Sequence, residues 1–244
     1  MRRAAAALAA MLGLVAAVPA VAQPVRVFAA ASLTDVFESL EPEWTADAKR
    51  PPLEFQFAGS SALALQIEEG APADVLATAD EPTMKRVANK GLVGKPALFA
   101  RNRLVIAVEK GNPKHVATLA DLARPDLVVV LAAPEVPAGR YARQLLDGAH
   151  VGVAPRSLEE NVRAVLTKVS LGEADAGIVY GTDVRAAAEK VEAVAVPEAA
   201  SVEVGYWIAP LAKAPRPEQA RAFVDLVLGA EGRAALEKAG FAPP

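Results

Sequence analysis

The sequence predicts an α/β protein with two lobes, each a mostly parallel sheet flanked by helices, and a ligand cleft between the lobes. Short apolar runs of strand length alternate with segments of helix length along most of the chain, a pattern typical of βαβ units. Longer β-rich segments near residues 100–108 and 202–208 interrupt this alternation and are expected to connect the lobes. We therefore assign residues 23–103 and 205–244 to lobe 1 and residues 104–204 to lobe 2.

The elements of the first half have clear boundary signals. Strands are predicted at residues 25–30, 53–57 and 74–78 and within the β-rich residues 96–110, and helices at residues 33–48, 62–69 and 80–90. Pro51 and Pro52 end the first helix because proline cannot continue it, and Gly70 ends the second. Asp74 is expected to mark the start of a strand, and Asp80 to cap the helix that follows it.

The second half repeats the pattern. Strands are predicted at residues 127–132, 176–180, 191–196 and 202–208, and helices at residues 119–124, 139–147, 161–170, 183–190, 218–228 and 231–239. Because strands and helices still alternate, we expect a second parallel sheet with helices on both faces.

The first 22 residues have the composition of a cleaved secretory leader. Arg2 and Arg3 precede an apolar run, and Ala20-Val21-Ala22 is a small-residue cleavage site, so we expect the mature chain to begin near Gln23. The alternative, an N-terminal membrane anchor, is disfavoured because the run is short. The chain contains no cysteine, which excludes a lipid-bearing cysteine, disulfides and thiolate metal sites. These features favour an untethered protein of a Gram-negative periplasm.

The net charge argues against nucleic acid and membrane surfaces as partners. Removing the leader takes two arginines from 26 basic residues, which leaves 24 against 29 acidic residues and a net charge of −5. No basic stripe for nucleic acid and no polybasic patch for lipid stands out. A bound anion would therefore be held by local dipoles, against the overall charge.

Catalytic motifs are not evident. The two histidines, His115 and His150, lie in predicted loops without an acid or nucleophile at motif spacing. The patterns G-x-S-x-G, H-E-x-x-H, Walker A and G-x-G-x-x-G do not occur. We predict a protein that is not an enzyme, with no cofactor and no metal ion coordinated directly by side chains.

Helix N-termini are the more promising feature. Each of four predicted helix starts, two in each lobe, follows a strand or the loop after a strand. They are Ser32-Leu33-Thr34-Asp35 in the form of a capping box, Ser60-Ser61, Pro137-Ala138-Gly139, and Asn161, for which Ser157 is a competing start. A helix N-terminus carries unpaired amides and roughly half a positive charge, so it accepts oxyanions without a basic side chain. One such start is usually only a capped helix, but four together favour a site for a fully ionised oxyanion.

Several motifs resemble those of periplasmic molybdate-binding proteins, the substrate-binding components of molybdate ABC transporters. They follow the family's order over nearly the whole mature chain: VFAAASLTD at 27–35, FAGSSALALQIEEGAPADVLATAD at 57–80, PEVPAGRYA at 134–142, ENVRAVL at 160–166 and AGIVYGTD at 176–183. The resemblance implies the periplasmic-binding-protein fold. It also implies that molybdate or tungstate binds in the cleft and is delivered to permease subunits. It also implies a monomer.

The resemblance assigns the oxyanion ligands position by position. Ser32 and Ser60 match serines that donate through hydroxyl and amide, Ala138 and Val162 match positions that donate through the amide, and Tyr180 matches a tyrosine whose hydroxyl donates. It favours Asn161 over Ser157 as the helix cap. Gly59 stands where relatives often carry a serine that is not a ligand.

Three alternatives remain open at this point. The ligand could be another tetrahedral oxyanion such as sulfate, or a small carboxylate; phosphate keeps a proton near neutral pH and would need a carboxylate acceptor. A periplasmic hydrolase with Ser60 as nucleophile would need a nearby base, which neither histidine supplies. The effector lobe of a regulator is disfavoured by the leader and by the lack of a DNA-binding segment.

Overall fold

The computed structural model describes residues 23–197 and 202–244. The predicted leader, residues 1–22, lies outside the described residues. The strands are β1 (Val25–Ala30), β2 (Leu53–Ala58), β3 (Val75–Thr78), β4 (Ala97–Glu109), β5 (Val129–Ala132), β6 (Ser157–Glu159), β7 (Ala176–Tyr180), β8 (Val191–Ala195) and β9 (Glu203–Pro210). The helices are α1 (Thr34–Glu38), α2 (Glu41–Thr45), α3 (Ser60–Glu68), α4 (Glu81–Asn89), α5 (Pro137–Gly148), α6 (Val162–Ser170), α7 (Gly181–Ala186), α8 (Pro217–Leu228) and α9 (Ala230–Ala239), with 3₁₀ turns at Ala31–Leu33 and Leu119–Ala123.

The strands form two parallel groups connected by long antiparallel strands. The order is β2-β1-β3-β9-β4-β7-β5-β6, with β8 also paired to β4. β1 is parallel to β2 and β3, and β5 is parallel to β6 and β7. β4 changes partners along its length: it pairs with β9 as far as Arg103, and with β7 and β8 from Leu104 onward. The predicted α/β class is therefore confirmed.

The core lies between this sheet and its helices. One apolar cluster runs through both parallel groups, and a smaller one lies between α3, α4 and the face of β1 and β3. An aromatic group fills the space beneath α1, α2 and α8, where the Phe37 and Phe223 rings meet edge to face with centroids 5.5 Å apart. Trp44 is fully buried there, and its indole N–H donates to the carbonyl of Pro51 at 2.7 Å.

Asp74 fixes the start of β3, as expected for a strand-end residue. Its carboxylate is fully buried and accepts hydrogen bonds from the backbone N–H groups of Arg26 at 2.9 Å and Arg216 at 2.8 Å. The Arg216 guanidinium also pairs with it at 3.2 Å. Buried carboxylates are stable only when they are paired in this way, so Asp74 ties β1 and the start of α8 to the edge of β3.

Three predictions of secondary structure need correction. The helix expected at residues 119–124 is a 3₁₀ helix at Leu119–Ala123. The single helix expected over residues 33–48 is two short helices, because Pro42 in the first turn of α2 lacks the N–H that would continue α1. The short strand β6 was not predicted, since three residues are too few to show a periodic pattern. It forms by parallel pairing with β5. Within the described ranges, no helix has the length and apolar character needed to cross a membrane.

Candidate functional site

The predicted helix starts converge on one small cavity. Its volume is about 210 Å³, including the part open to solvent. It is lined by Ala30, Ala31, Ser32, Ala58, Gly59, Ser60, Ala79, Val136, Pro137, Ala138, Asn161, Val162 and Tyr180. All five residues predicted as ligands are in this set, and none of the lining side chains carries a charge.

The sheet topology explains why these residues meet. The lining residues lie at or just beyond the carboxyl ends of β1, β2, β3, β5, β6 and β7. Because parallel strands end at the same edge of a sheet, each group presents its helix N-termini together. The two groups face each other across the cavity, so donors from both surround the same space.

Ser32 does not cap a helix, contrary to the prediction. The chain leaves β1 through the 3₁₀ turn, which places Ser32 inside that turn, and neither this turn nor α1 has a side-chain cap hydrogen bond. The hydroxyl of Ser32 instead lies 2.8 Å from the hydroxyl of Tyr206, on β9. The predicted capping partner, Asp35, pairs with Arg163. A local sequence pattern could not reveal these distant partners.

Ser60 is the first residue of α3 and is buried. Its hydroxyl oxygen accepts a hydrogen bond from the backbone N–H of Ala79 at 3.1 Å. A hydroxyl has one hydrogen to donate, and that hydrogen remains available to a group in the cavity.

Ala138 and Val162 reach the cavity through their backbones. Ala138 is the second residue of α5, and Val162 is the first residue of α6. The Asn161 side chain accepts the N–H of Ala164 at 3.0 Å, which confirms Asn161 as the cap of α6. Within the described chain, the backbone N–H groups of Ser60, Ala138 and Val162 form no hydrogen bond. Three helix N-termini thus present free amides, as an oxyanion site requires.

Gly139 places the start of α5 against the end of β5. A Cβ atom at this position would lie 2.0 Å from the carbonyl oxygen of Ala133 and 2.3 Å from that of Ala132. Only glycine fits at such distances, so this residue sets the position of the Ala138 amide. Gly59 makes a similar approach across the cavity, where a Cβ would lie 2.6 Å from the carbonyl oxygen of Glu160.

Tyr180 supplies an unpaired hydroxyl. The side chain is 1% exposed and lines the cavity, and its oxygen has no hydrogen-bond partner among the described residues. Burial raises the pKa of Tyr180 well above its usual value, so the hydroxyl keeps its proton at neutral pH. A buried hydroxyl without a partner is costly, and a ligand oxygen in the cavity would satisfy it.

Ion pairs bridge the two parallel groups outside the lining. Asp80 occupies the N-cap position of α4, but its side chain makes no capping hydrogen bond, contrary to the prediction. It is fully buried and pairs with Arg140 of α5. Arg163 of α6 pairs with Asp35 and lies 2.9 Å from Asp183. Burial raises the pKa of Asp183 to about 6, although Arg163 opposes the rise. Both arginines are therefore engaged by carboxylates, and the cavity wall stays neutral.

The residues a hydrolase would need do not assemble here. His115 and His150 are exposed loop residues that do not line the cavity. The hydrogen bond to the Ser60 hydroxyl comes from an amide and not from a base. In the described part of the chain, no group of three or more His, Asp or Glu side chains is arranged to hold a metal ion.

Comparison with known proteins gives a consistent set of relatives. The family model described as bacterial extracellular solute-binding protein matches residues 25–242. The molybdate-binding protein ModA of Mycobacterium tuberculosis is 45% identical over 224 residues, which cover 91% of this chain and 86% of that protein.

Two solved structures share the fold. The periplasmic molybdate-binding protein of Azotobacter vinelandii superposes with a TM-score of 0.76 at 20% identity, over 90% of this chain and 99% of that one. The sulfate-binding protein SubI of Mycobacterium tuberculosis gives a TM-score of 0.80 at 19% identity, over 91% of this chain and 87% of that one. At these identities the fold alone is shared, and it does not distinguish one oxyanion from another.

Proposed function

The chain belongs to the bacterial extracellular solute-binding proteins and is related to ModA, and we propose that it binds molybdate in the periplasm. We propose that it then delivers the molybdate to the permease subunits of an ABC transporter. We propose that it also accepts tungstate, acts as a monomer and needs no cofactor. Its relatives are transport proteins, and we propose no catalytic role.

The observation that carries this proposal is the neutral, donor-rich cavity. Free amides of Ser60, Ala138 and Val162 and hydroxyls of Ser32, Ser60 and Tyr180 face the same small space. Such a lining matches a fully ionised oxyanion, which accepts hydrogen bonds and donates none. Hydrogen bonds to a charged partner contribute about 1.5–3 kcal/mol each, and together they must offset a large desolvation cost.

Size is the property that separates molybdate from sulfate. Both are tetrahedral dianions, so charge and shape do not discriminate between them. A cavity whose donors are backbone amides at helix starts resists shrinking, because Gly139 already holds α5 in contact with β5. A smaller anion then leaves some donors too far away. Tungstate has nearly the size of molybdate and is expected to bind about as well.

Phosphate is disfavoured for a different reason. Near neutral pH it keeps a proton and needs an acceptor for it. The lining residues include no carboxylate, and the nearby Asp80 is paired with Arg140. We therefore expect phosphate to bind weakly.

We propose that the anion closes a hinge between the lobes assigned from the sequence, residues 23–103 with 205–244 and residues 104–204. The change of β4 partners between Arg103 and Leu104 supports this boundary. Ser32 and Ser60 then belong to lobe 1, whereas Ala138, Val162 and Tyr180 belong to lobe 2. An anion held by both sets would stabilise the closed form, whose joined surface the permease would recognise.

The first prediction concerns ligand preference. Thermal unfolding of residues 23–244 is expected to shift upward with molybdate and tungstate, and far less with sulfate or phosphate. At a ligand concentration one hundred times the dissociation constant, stability should rise by about 2.7 kcal/mol. Isothermal titration with each anion provides the affinities. An equal response to sulfate would contradict the proposed selectivity, and no response to molybdate would contradict the proposed function.

The second prediction separates Ser60 from its neighbour. The Ser60→Ala variant is expected to lose about 10- to 100-fold in molybdate affinity, because one hydrogen bond to a charged ligand disappears. Ser61 follows it on α3 but is absent from the cavity lining, so Ser61→Ala should retain wild-type affinity. Both dissociation constants can be measured by isothermal titration. Similar losses in the two variants would show that Ser60 acts through helix structure and not through contact with the anion.

A further inference from the structure

We propose that Tyr206, which is not in the cavity lining, is a positioning residue that directs the Ser32 hydroxyl hydrogen toward the anion. This inference rests on the proposed function and adds to it a residue that does not itself contact the ligand. It concerns the one hydroxyl contact of Ser32 that the structure records.

The geometry fixes the Tyr206 hydroxyl in place. Tyr206 is fully buried on β9, and its oxygen lies 2.8 Å from the buried Ser32 hydroxyl. Its ring makes edge-to-face contacts with Phe241, Tyr180 and Phe99, at centroid distances of 5.1, 5.8 and 6.2 Å. A ring enclosed by three aromatic neighbours cannot move its hydroxyl oxygen away from Ser32.

The direction of this hydrogen bond matters for binding. Each hydroxyl has one hydrogen. If Ser32 donates to Tyr206, it has no hydrogen left for an oxyanion. If Tyr206 donates to Ser32, the serine oxygen is satisfied and its hydrogen is free to point into the cavity. An anion therefore selects the second arrangement, in which the Tyr206 hydrogen bond also polarises the serine hydroxyl and strengthens it as a donor.

Tyr206 is suited to act as the donor. Burial raises its pKa well above the usual value, although the neighbouring Ser32 and Asn102 side chains oppose the rise. The phenol therefore keeps its proton throughout the physiological pH range. Asn102 is itself held by a hydrogen bond from its side-chain N–H₂ to the hydroxyl of Thr182 at 2.9 Å. The Ser32 hydroxyl is thus hydrogen-bonded to the buried Tyr206 hydroxyl, whose own neighbours are held in place.

The test is a double-mutant cycle with molybdate as the probe, measured by isothermal titration. Tyr206→Phe keeps the ring and removes the hydroxyl, and is expected to weaken binding about 3- to 10-fold in the wild-type background. In a Ser32→Ala background the same change should have almost no further effect, because the hydroxyl it positions is gone. Tyr141→Phe is the matched control: Tyr141 is half-buried on α5 and outside the cavity lining.

The outcomes distinguish this role from a purely structural one. If Tyr206 acted only through packing, Tyr206→Phe would weaken binding equally in the wild-type and Ser32→Ala backgrounds, and the proposal would be overturned. Wild-type affinity in the Tyr206→Phe variant would overturn it as well. Thermal unfolding of the free variants shows whether the fold is retained. If the wild-type protein fails to bind molybdate, the proposed function itself falls, and this inference with it.

Discussion

Replacing Gly139 by alanine is expected to lower both the stability of the free protein and its affinity for molybdate, the latter by about 100-fold. The added Cβ would meet the carbonyl oxygens of Ala133 and Ala132 at 2.0 and 2.3 Å. Both atoms belong to the backbone, so no side chain can rotate away, and the start of α5 must move. Overpacking of this kind costs about 1–3 kcal/mol, and more where nothing can yield.

The loss of affinity follows from the loss of contact between α5 and β5. Ala138 directly precedes Gly139, and its amide lies at the helix start that the substitution would displace. An N–H···O hydrogen bond has its optimum near 2.9 Å and weakens steeply when it is stretched or bent. A displacement on the order of 1 Å therefore removes most of what this amide contributes, and it disturbs the neighbouring donors as well.

A second glycine on the same helix provides the control. Gly148 is the last residue of α5, and a Cβ built on it would meet no atom within 4 Å. Gly148→Ala should leave affinity unchanged and stability unchanged or slightly higher, since alanine favours helix by up to about 1 kcal/mol. Urea unfolding and isothermal titration measure both quantities. Equal stability in the Gly139 and Gly148 variants would contradict the argument from close approach.

Local signals in the sequence predicted the framework well. The parallel arrangement, the helix start at Ser60, and the strands around residues 25–30 and 176–180 follow from short-range patterns, and the structure confirms them. The choice of Asn161 over Ser157 as a helix cap came from the family resemblance, and the structure confirms it as well. The same patterns placed Ser32, Ser60, Ala138, Val162 and Tyr180 at helix or strand ends, and the structure brings them to one cavity. Their role as ligands stays a prediction.

Local patterns could not predict side-chain contacts between residues that lie far apart in the sequence. Ser32 and Asp80 both looked like helix caps, because serine and aspartate near a helix start usually are. In the structure their side chains turn to Tyr206, 174 positions away, and to Arg140, 60 positions away. The need for glycine at position 139 was equally hidden, since it depends on the carbonyl groups of Ala132, the last residue of β5, and of Ala133. Only the packing of one element on another decides such contacts.

Arg140 is a further residue whose expected role depends on a partner far away in the sequence. Arg140→Ala is expected to weaken molybdate binding about 100-fold while lowering the stability of the free protein much less. Its partner Asp80 is fully buried, and the second carboxylate oxygen of Asp80 has no hydrogen-bond partner among the described residues. Removing one member of a buried pair costs about 3–5 kcal/mol. We expect the lower end of this range or less, because the Arg140 side chain is 38% exposed.

The proposed hinge determines whether the free-energy cost of the unpaired Asp80 carboxylate appears in ligand binding or in unfolding. In the proposed division Asp80 belongs to lobe 1 and Arg140 to lobe 2, so the pair would form only when the lobes close. An open form would return the Asp80 carboxylate to water and escape the penalty, whereas the bound form cannot. The cost therefore falls on ligand binding and not on unfolding, since a ligand must also supply the free energy of closing the variant.

Two further variants make the result decisive. Asp80→Asn in the Arg140→Ala background removes the unpaired charge and should recover a large part of the lost affinity. Lys85→Ala breaks an exposed pair with Glu81 on α4 and should change affinity little, because surface pairs contribute less than about 1 kcal/mol. X-ray scattering should show that molybdate lowers the radius of gyration of the wild type, and that the Arg140→Ala protein needs a higher molybdate concentration for the same decrease. If stability fell as much as affinity, with no rescue by Asp80→Asn, the pair would be part of the static core and not a contact that forms on closure.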